Sequence, residues 1–374
     1  MKKIAIVIGT RPEAIKLIPL ILEIKKKSNL TVEVCSTGQH KEMLDQVFNL
    51  FQITPDVELK IMTQNQTLAD LTSELTKRLN NYLIDSKPDF LICQGDTTTA
   101  FVSALVSFYN KIPIGHVEAG LRTNNKFSPF PEEINRQLIS KLADFHFAPT
   151  VDSKESLILE NISQDKVTVT GNTVIDSLFI VKNKIENNEL EINSDLVKLC
   201  EQKQFILVTG HRRENFGEGF ENICKSIKIL AERFKNINFI YPVHLNPNVK
   251  DIVEAKLGGI ENVFLIPPLD YINFIFALSK CYLVLTDSGG VQEEAPSFNK
   301  PVLVMRENSE RMEGVNCGVV KLVGTNFELI VQNVSLLLND KEAYESMTNS
   351  VNPYGDGFAS QRIVEIISNY FVKE

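Results

Sequence analysis

Acidic side chains stand directly after short apolar runs in the first half of this sequence. Asp96 follows the apolar run 90–93, and Glu118 follows the run 112–116. If both runs are parallel strands, their carboxyl ends meet at one edge of a sheet, so we expect the two carboxylates to lie close together. Neighbouring carboxylates can have their pKa values pushed apart, which suits one as general acid and the other as general base. The pattern therefore predicts acid–base chemistry at this edge.

Each of these carboxylates also has a purely structural alternative. Asp96 suits the N-cap position of the helix that follows it, and Glu118 can pair with Arg122. Glu132 and Arg136 are four residues apart on a predicted helix, a spacing that suits a surface ion pair. Such a pair contributes about 0.3–0.5 kcal/mol. The prolines before Glu132 favour a stiff loop, which also suits a positioned catalytic carboxylate.

The first glycine-containing turn combines a helix start with two cations. Thr10 and Glu13 have the spacing of a capping box, and Pro12 occupies a position that helix starts tolerate. A helix N-terminus can bind an anion through its free N–H groups, and Arg11 and Lys16 add positive charge. The alternative is a well-capped helix with two solvated cations. The turn has neither the GxGxxG pattern nor the Walker pattern.

The strongest phosphate-binding signal lies in the second half. Ser288, Gly289 and Gly290 follow an apolar run and precede a helical pattern. Small residues let a ligand approach the backbone closely, and the free N–H groups of the helix start suit a diphosphate. Glu294, one turn later, can accept hydrogen bonds from ribose hydroxyls, and Arg311 can close the site from the next loop. The alternative is a glycine turn that only leads into a helix.

His211 is the histidine best placed for chemistry. It follows a predicted strand and precedes Arg212 and Arg213. Two neighbouring guanidinium charges disfavour the imidazolium form, so we expect the ring to be neutral near pH 7. Most single histidines are structural, but the position of His211 at the mouth of a predicted sheet favours a role in the site.

Apolar runs and helical patterns alternate along the whole chain. The predicted strands are residues 3–8, 32–36, 90–93, 112–116, 145–148, 167–170, 205–209, 239–242, 263–266, 283–286, 302–305 and 319–322. Helical patterns separate most of them, for instance residues 100–109, 132–142, 220–234 and 271–278. This alternation predicts parallel sheets with helices on both faces.

Two doubly wound, Rossmann-like α/β domains with a cleft between them, the GT-B architecture, are the fold that this alternation predicts. We expect an N-terminal domain over residues 1–170, with the closing helix 358–374 packed back on it, and a second domain over 171–357. The polar segment 187–204 is typical of a connection between domains. Ligands of open α/β sheets bind at the carboxyl ends of the strands, where the side chains above lie.

The composition argues against several classes of protein. The 374 residues are 43% hydrophobic and 23% charged, which is ordinary for globular domains and far from disordered compositions. The net charge of −8 argues against binding to nucleic acid or anionic membranes, but not against phosphate in a basic pocket. The six cysteines have no zinc-like spacing, and no apolar stretch is long enough for a membrane span. We therefore expect a cytoplasmic protein without a metal site.

Long blocks of this sequence resemble the non-hydrolysing UDP-N-acetylglucosamine 2-epimerase family. The first half contributes GTRPEAIK (9–16), TGQHKEMLDQV (37–47), QGDTTTAF (94–101), HVEAGLRT (116–123) and PFPEEINR (129–136). The second half contributes TGHRREN (209–215), YPVHLNP (241–247), LTDSGGVQEEAP (285–296) and KPVLVMRENSER (300–311). The blocks span almost the whole chain in order. Arg11, Pro12 and Glu13 in the first turn favour the non-hydrolysing branch over its hydrolysing relatives.

The resemblance implies a GT-B-like homodimer that interconverts UDP-GlcNAc and UDP-ManNAc for cell-surface polysaccharide, without nicotinamide or metal. It implies elimination of UDP to 2-acetamidoglucal and re-addition of UDP after a proton returns to the opposite face of C2. By position, the acid–base residues are Asp96, Glu118, Glu132 and His211. The implied contacts to the UDP-sugar are Arg11, Lys16, Arg136, Phe274, Ser288, Gly289, Gly290, Glu294 and Arg311, and the second domain would bind the UDP.

A second, activating UDP-GlcNAc site occurs in some bacterial members that the sequence resembles. The resemblance places in it a glutamine early in the HxxM block and an arginine shortly before the QTLA block. Glu42 and Asn65 stand at those two places here, so the resemblance implies an incomplete activating site. Gln46, Arg212 and His244 keep part of it.

Two rival functions remain open from the sequence. A GT-B glycosyltransferase would share the fold, the glycine-rich phosphate turn and the ribose glutamate, but it does not need the three carboxylates Asp96, Glu118 and Glu132. A catalytically silent nucleotide-sugar sensor would not keep acids at every matched position. Both alternatives are therefore less favoured than an epimerase.

Overall fold

The computed structural model describes residues 1–38, 41–63, 66–210, 212, 215–309 and 311–373. Its chain divides into two compact units. The first unit consists of Met1–Ser177 together with Tyr354–Glu374, and the second unit consists of Leu178–Pro353. Each unit is an α/β assembly around one parallel sheet.

The first unit contains a seven-stranded sheet whose paired strands all run parallel. Its strands are β1 (Lys2–Ile8), β2 (Leu30–Ser36), β3 (Val57–Glu58), β4 (Phe90–Gln94), β5 (Ile114–Val117), β6 (Phe145–Ala148) and β7 (Val167–Val169). They lie in the order β3-β2-β1-β4-β5-β6-β7. The helices of this part are α1 (Arg11–Ile24), α2 (Lys41–Leu50), α3 (Leu68–Ser86), α4 (Thr98–Tyr109), α5 (Glu132–Leu142) and α6 (Val151–Leu159). Helix α7 (Thr173–Glu186) begins in the first unit and continues into the second.

The second unit contains a six-stranded sheet, also with parallel pairing. Its strands are β8 (Phe205–Thr209), β9 (Asn238–Pro242), β10 (Val263–Ile266), β11 (Leu283–Thr286), β12 (Val302–Val304) and β13 (Val320–Leu322), in the order β10-β9-β8-β11-β12-β13. Its helices are α8 (Ser194–Gln202), α9 (Glu218–Arg233), α10 (Pro247–Leu257), α11 (Tyr271–Lys280), α12 (Gly289–Glu294), α13 (Met312–Asn316), α14 (Phe327–Asn339) and α15 (Lys341–Thr348). The predicted α/β class with two parallel sheets is confirmed.

The central strands are apolar along their length because helices cover both faces of a parallel sheet. All five residues of β4 are buried, and Phe90 at its start contacts the ring of Phe145 at a centroid distance of 5.5 Å. The predicted strand 112–116 begins two residues later than expected, at Ile114. Pro113 precedes it and has no N–H to donate to a neighbouring strand, although its carbonyl accepts from the N–H of Leu91.

The polar segment 187–204, expected to connect two domains, instead contains α8. Its N-cap Asn193 accepts hydrogen bonds from the N–H groups of Asp195 and Leu196. Its apolar face buries Leu196, Leu199 and Cys200 in a core cluster of the second unit. The segment is therefore not a plain linker, because half of it is a packed helix.

The closing helix α16 (Ala359–Lys373) belongs to the first unit. The buried carboxylate of Asp176 accepts hydrogen bonds from the N–H groups of Ala359 (3.3 Å) and Ser360 (2.7 Å) at its start. Ile363 and Ile367 are fully buried on its inner face. No helix among the described residues has the length and apolar character needed to cross a membrane.

Candidate active site

Glu118 is held by donors from three separate parts of the first unit. It follows β5 in the left-handed backbone region, with φ of 64°, and is 9% exposed. Its carboxylate accepts from the ammonium group of Lys16 on α1 and from the side-chain amide of Gln94 at the end of β4. Nδ2 of Asn172, after β7, lies 3.3 Å from Oε1. The paired ammonium and the two amides compensate the burial of this carboxylate.

Asp96 pairs with an arginine instead of capping a helix. Its Oδ2 lies 2.8 Å from Nε and 2.7 Å from Nη2 of Arg136. The N-cap of α4 is Thr97, whose hydroxyl oxygen accepts from the N–H of Ala100 at 3.0 Å. The capping alternative for Asp96 is therefore excluded, and its carboxylate is available at the strand end.

Glu132 begins α5 without the ion pair that its spacing to Arg136 suggested. The second partner of Arg136 is Glu133, with 3.3 Å between Nη1 and Oε2. Oε2 of Glu132 is buried and has no hydrogen-bond partner in the described part of the chain. A desolvated acceptor without a donor is costly, so such an atom is more typical of a functional site than of a structural surface residue.

Glu133 fixes the loop that precedes Glu132. It is fully buried and accepts from the N–H groups of Thr123 (3.0 Å) and Asn124 (3.1 Å). Burial acts to raise the pKa of Glu133, but hydrogen bonds from these two backbone groups and from the side chains of Gln137 and Thr123 together hold the pKa below its ordinary value. Glu133 is therefore an ionised anchor for α5.

Arg122 is engaged elsewhere and does not pair with Glu118. Its Nε lies 2.6 Å from Oε1 of Glu160, and its Nη2 lies 2.9 Å from Oε2 of the same residue. Nη2 also donates to the hydroxyl of Ser140 at 2.8 Å. The structural alternative for Glu118, a pair with Arg122, is therefore wrong.

In the turn between β1 and α1, the side chain of Glu13 already occupies backbone N–H groups that could otherwise bind an anion. Oε2 of Glu13 accepts from the N–H groups of Gly9 (3.1 Å) and Thr10 (2.6 Å). Burial raises the pKa of Glu13 to about 7, against hydrogen bonds that lower it. Lys16 is engaged with Glu118, and half-buried Arg11 has no ion pair with a residue that the structure describes. An anion at this turn would have to compete with Glu13.

His116 links the ends of β4 and β5. It is 1% exposed, and its Nε2 lies 2.7 Å from the carbonyl oxygen of Gly95, the residue before Asp96. Burial lowers the pKa of His116 to about 4, so the ring is neutral and Nε2 carries the proton that it donates to this carbonyl. His116 thus supports the Asp96 turn without adding charge.

In the second unit, a buried aspartate fixes the turn after β11. Oδ2 of Asp287 accepts from the N–H of Arg212 at 2.8 Å and from Nδ2 of Asn215 at 3.2 Å. Ser288 is the N-cap of α12, and its N–H donates to the hydroxyl of Thr286 at 2.9 Å. These bonds hold the ends of β8 and β11 together at the predicted phosphate turn.

Two guanidinium groups lie against Gly289. A β-carbon built on this residue would be 2.8 Å from Nη1 of Arg311 and 3.4 Å from Nη2 of Arg212. Nε of Arg311 donates to Oε1 of Glu293 at 2.6 Å, and Glu293 is 3% exposed. Only a residue without a side chain lets both cations approach this backbone. The arrangement concentrates positive charge at the start of α12, which suits a diphosphate.

The remaining predicted contacts of the second unit that the structure describes lie on α12 and α11. Glu294 is half-buried at the end of α12. Phe274, on α11, is half-buried against a core cluster, as an ordinary core aromatic would be. His211, predicted to be catalytic, lies outside the described residues, as do Asn65 and the side chain of Glu42.

Several residues of this network could not be identified as site residues from the sequence. Gln94 stands at a strand end two residues before Asp96, and its position was the only signal. Asn172 follows β7, which lies two strands from β5 in the sheet, so only the strand order brings it to Glu118. The link from Glu13 to Thr97 was hidden because a capping box already explained the glutamate. Glu293 stood beside Glu294 without any feature that separated the two.

Residues 22–368 match the family model described as UDP-N-acetylglucosamine 2-epimerase. The chain belongs to this family. It is 51% identical over 373 residues to the UDP-N-acetylglucosamine 2-epimerase of Campylobacter jejuni, with 98% of this chain and 97% of that protein covered. The aligned residues therefore include both units of this epimerase-family protein.

Solved structures agree with this family membership. The UDP-GlcNAc 2-epimerase from Neisseria meningitidis bound to UDP-GlcNAc superposes with a TM-score of 0.87 at 48% identity, covering 99% of this chain and 100% of that chain. MurG from Acinetobacter baumannii superposes with a TM-score of 0.65 at 11% identity, covering 99% of this chain and 100% of that chain. The second similarity shows a shared GT-B-like fold and nothing about the reaction.

Proposed function

We propose that this protein is a non-hydrolysing UDP-N-acetylglucosamine 2-epimerase that interconverts UDP-GlcNAc and UDP-ManNAc. The observation that carries the proposal is the pair of carboxylates at neighbouring strand ends, Asp96 held by Arg136 and Glu118 held by Lys16. They occur in a chain that belongs to the epimerase family over nearly its full length. A glycosyltransferase would leave this many placed acids without a task.

The reaction has to overcome the low acidity of the proton at C2. C2 bears an N-acetyl group and not a carbonyl, so simple removal of its proton faces a very high barrier. In the proposed route a carboxylate takes the C2 proton while the anomeric C–O bond breaks. The electron pair of the C–O bond leaves with UDP, the electron pair of the C2–H bond forms the C1–C2 double bond, and the intermediate is 2-acetamidoglucal. UDP then adds back at C1 while a proton is delivered to the opposite face of C2.

The first unit supplies the proton transfers in this proposal. Removal and return occur on opposite faces of C2, so more than one acid–base group is needed. Asp96, Glu118 and Glu132 share these tasks. Arg136 and Lys16 hold two of these carboxylates in place, and both cations, with Arg11, are also proposed to contact the UDP-sugar. The unpartnered Oε2 of Glu132 is an acceptor ready for a substrate proton.

The second unit holds UDP in this proposal. Negative charge grows on the diphosphate as the anomeric bond breaks, so fixed donors aimed at it stabilise the transition state. Arg311, Ser288, Gly289 and Gly290 supply these donors, and His211 is proposed to assist them. Glu294 is proposed to accept from the ribose hydroxyls, and Phe274 to border the uracil.

The elimination route needs neither a nicotinamide nor a metal ion, because the C2 hydrogen leaves as a proton and not as a hydride, and the departing group is stabilised by cationic side chains. The proposal includes a homodimer in the cytoplasm, as the family resemblance implies. The product is proposed to supply ManNAc units for cell-surface polysaccharide. The net charge of −8 also fits a protein that does not bind nucleic acid.

Analysis of the products tests the proposal against its rivals. Purified protein is incubated with UDP-GlcNAc alone, and the products are separated by anion-exchange chromatography. The proposal predicts a mixture of UDP-GlcNAc and UDP-ManNAc with little free UDP. Stoichiometric UDP and free ManNAc would indicate the hydrolysing reaction. UDP release only in the presence of a sugar acceptor would indicate a glycosyltransferase.

A further inference from the structure

We propose that Glu13 is a positioning residue for the proton transfers, and that it acts through the Thr97 hydroxyl on the turn that carries Asp96. The inference rests on the proposed function, because it takes Asp96 to be an acid–base group. Glu13 itself has no place in that chemistry. Its side chain is 1% exposed and is fully occupied by groups of the protein.

Glu13 joins the ends of two neighbouring strands. Its Oε2 accepts from the N–H groups of Gly9 and Thr10, which follow β1. Its Oε1 accepts from the hydroxyl of Thr97, 2.7 Å away, which follows β4. One buried carboxylate therefore fixes the β1–α1 turn and the Asp96 turn to each other.

Thr97 transmits this constraint because both functions of its hydroxyl are used. The hydroxyl donates its only proton to Glu13, and its oxygen accepts from the N–H of Ala100 at 3.0 Å. The direction of the proton is therefore set by Glu13. Thr97 directly follows Asp96, whose own carbonyl oxygen accepts from Nδ2 of Asn135 at 2.8 Å. The backbone of Asp96 is therefore fixed on its C-terminal side, through its own carbonyl group and through Thr97.

Close packing leaves little slack between the two turns. A β-carbon built on Gly9 would lie 2.5 Å from the hydroxyl oxygen of Thr99 in the first turn of α4. The end of β1 therefore presses directly on the helix that Thr97 caps. This close contact gives a change at Glu13 a second route to the Asp96 turn.

Helix α1 serves two of the proposed acid–base groups, Asp96 and Glu118. Glu13 reaches the Asp96 turn, and Lys16, three residues later on the same helix, binds Glu118. The separation of the two carboxylates therefore depends on α1. A misplacement of about 1 Å can cost about 100-fold in rate, so this dependence matters for catalysis.

The chemical identity of Glu13 also favours a positioning role. A buried carboxylate without an adjacent cation is a costly group, and burial raises the pKa of Glu13 to about 7. A glutamine at this position would still accept from the two backbone N–H groups. However, its NH2 group would face Thr97 and force the hydroxyl to reverse its role. Only the ionised carboxylate, which is the main form above pH about 7, accepts on both sides.

Glu13→Gln and Thr97→Val test the inference, with Thr97→Ser as the conservative variant. Asp89→Asn is the matched control, because Asp89 joins the opposite ends of the same strands by accepting from the N–H of Lys3 at 2.8 Å. Epimerisation kcat and KM, UDP affinity and melting temperature are measured for each. We expect kcat to fall about 10- to 100-fold in Glu13→Gln and Thr97→Val, with KM and UDP affinity within about twofold of wild type.

Thr97→Ser should keep kcat within about threefold, because its hydroxyl retains both hydrogen bonds, and Asp89→Asn should behave as wild type in kcat. The inference is overturned if Glu13→Gln and Thr97→Val keep wild-type kcat, or if Thr97→Ser loses as much as Thr97→Val. If Glu13→Gln fails to fold, the difference in kcat between Thr97→Val and Thr97→Ser alone decides whether the inference holds. A wild-type protein without turnover contradicts the proposed function itself, and the inference with it.

Discussion

Lys16 donates to the carboxylate of Glu118, 102 residues further along the chain. Lys16 lies on the helix that follows β1, and Glu118 follows β5, so the pair joins two elements that flank β4 in the sheet. Both side chains are largely buried, with 15% and 7% exposure. The pair places a compensated carboxylate next to the turn of Asp96, and the proposed chemistry depends on it.

Asp96→Asn and Glu118→Gln should each remove epimerisation while leaving UDP binding nearly unchanged. The amides keep the size of the side chains but cannot take a proton from C2, so turnover should fall by about 100-fold or more. UDP affinity, measured by calorimetry, should stay within about threefold because neither carboxylate is among the proposed contacts to UDP. Asp152→Asn, on the exposed start of α6, is the control. Near-normal turnover in either amide variant would remove that residue from the mechanism.

Lys16→Met should destabilise the protein more than Lys16→Met combined with Glu118→Gln. The single change leaves a buried carboxylate without its cation and should cost about 3 kcal/mol in free energy of unfolding. The double change removes the charge as well, so part of the loss should return. Urea unfolding of the four proteins in this cycle measures the coupling. A loss in the double variant equal to the sum of the two single losses would mean that the two side chains do not interact.

The stability of the wild type should carry a pH dependence that Glu13→Gln lacks. Burial raises the pKa of Glu13 from 4.5 to about 7 in the folded protein. Between these values the folded state holds a proton that the unfolded state has lost, so the free energy of unfolding falls as the pH rises. The stabilisation is complete below 4.5 and disappears through 7, and at 1.36 kcal/mol per pKa unit it amounts to about 3 kcal/mol.

Chemical unfolding of the wild type and of Glu13→Gln at pH about 5 and about 7.5 measures this difference. Subtracting the free energy of unfolding of Glu13→Gln from that of the wild type at each pH cancels the contributions of the other titrating groups, which both proteins share. A difference between the two proteins that is independent of pH would show that the folded state does not hold the proton on Glu13.

Gly289→Ala should weaken UDP binding by displacing Arg311. The added methyl group would lie 2.8 Å from Nη1 of Arg311, so the guanidinium group must move away from the start of α12. Loss of a charge-assisted contact to the diphosphate should reduce UDP affinity about 10-fold or more. Glu293→Gln should act in the same direction, because Glu293 orients Arg311. Calorimetric titration with UDP measures both, and Glu328→Gln, exposed at the start of α14, serves as control. UDP affinity at the wild-type level in Gly289→Ala would place the diphosphate elsewhere.

The strands were predictable because buried parallel strands are continuous apolar runs. Residues 90–93 form such a run, and β4 is fully buried. The two-residue strand Val57–Glu58 gave no pattern to detect. Helix α8 was missed because its polar residues outnumber the few that it buries, although Asn193 is a normal N-cap.

The charged site residues were predictable from their places at strand ends, but their partners were not. Local spacing suggested Glu132 for Arg136 and Arg122 for Glu118, and both pairings were wrong. Asp96 reaches Arg136 on α5, and Asn172 reaches Glu118 after β5, only because the fold brings residues distant in the sequence together. The neutral donors Gln94 and Asn172 carry no periodic signal in the sequence.

Proton NMR in D2O tests the central claim most directly. The purified protein is incubated with UDP-GlcNAc and no added cofactor, and the C2 and anomeric signals are followed over time. The proposed mechanism predicts UDP-ManNAc, with deuterium at C2 of the epimer from the first turnovers and of UDP-GlcNAc as the reaction reverses. UDP-ManNAc that retains its C2 proton, or a spectrum that does not change, would contradict the proposed mechanism.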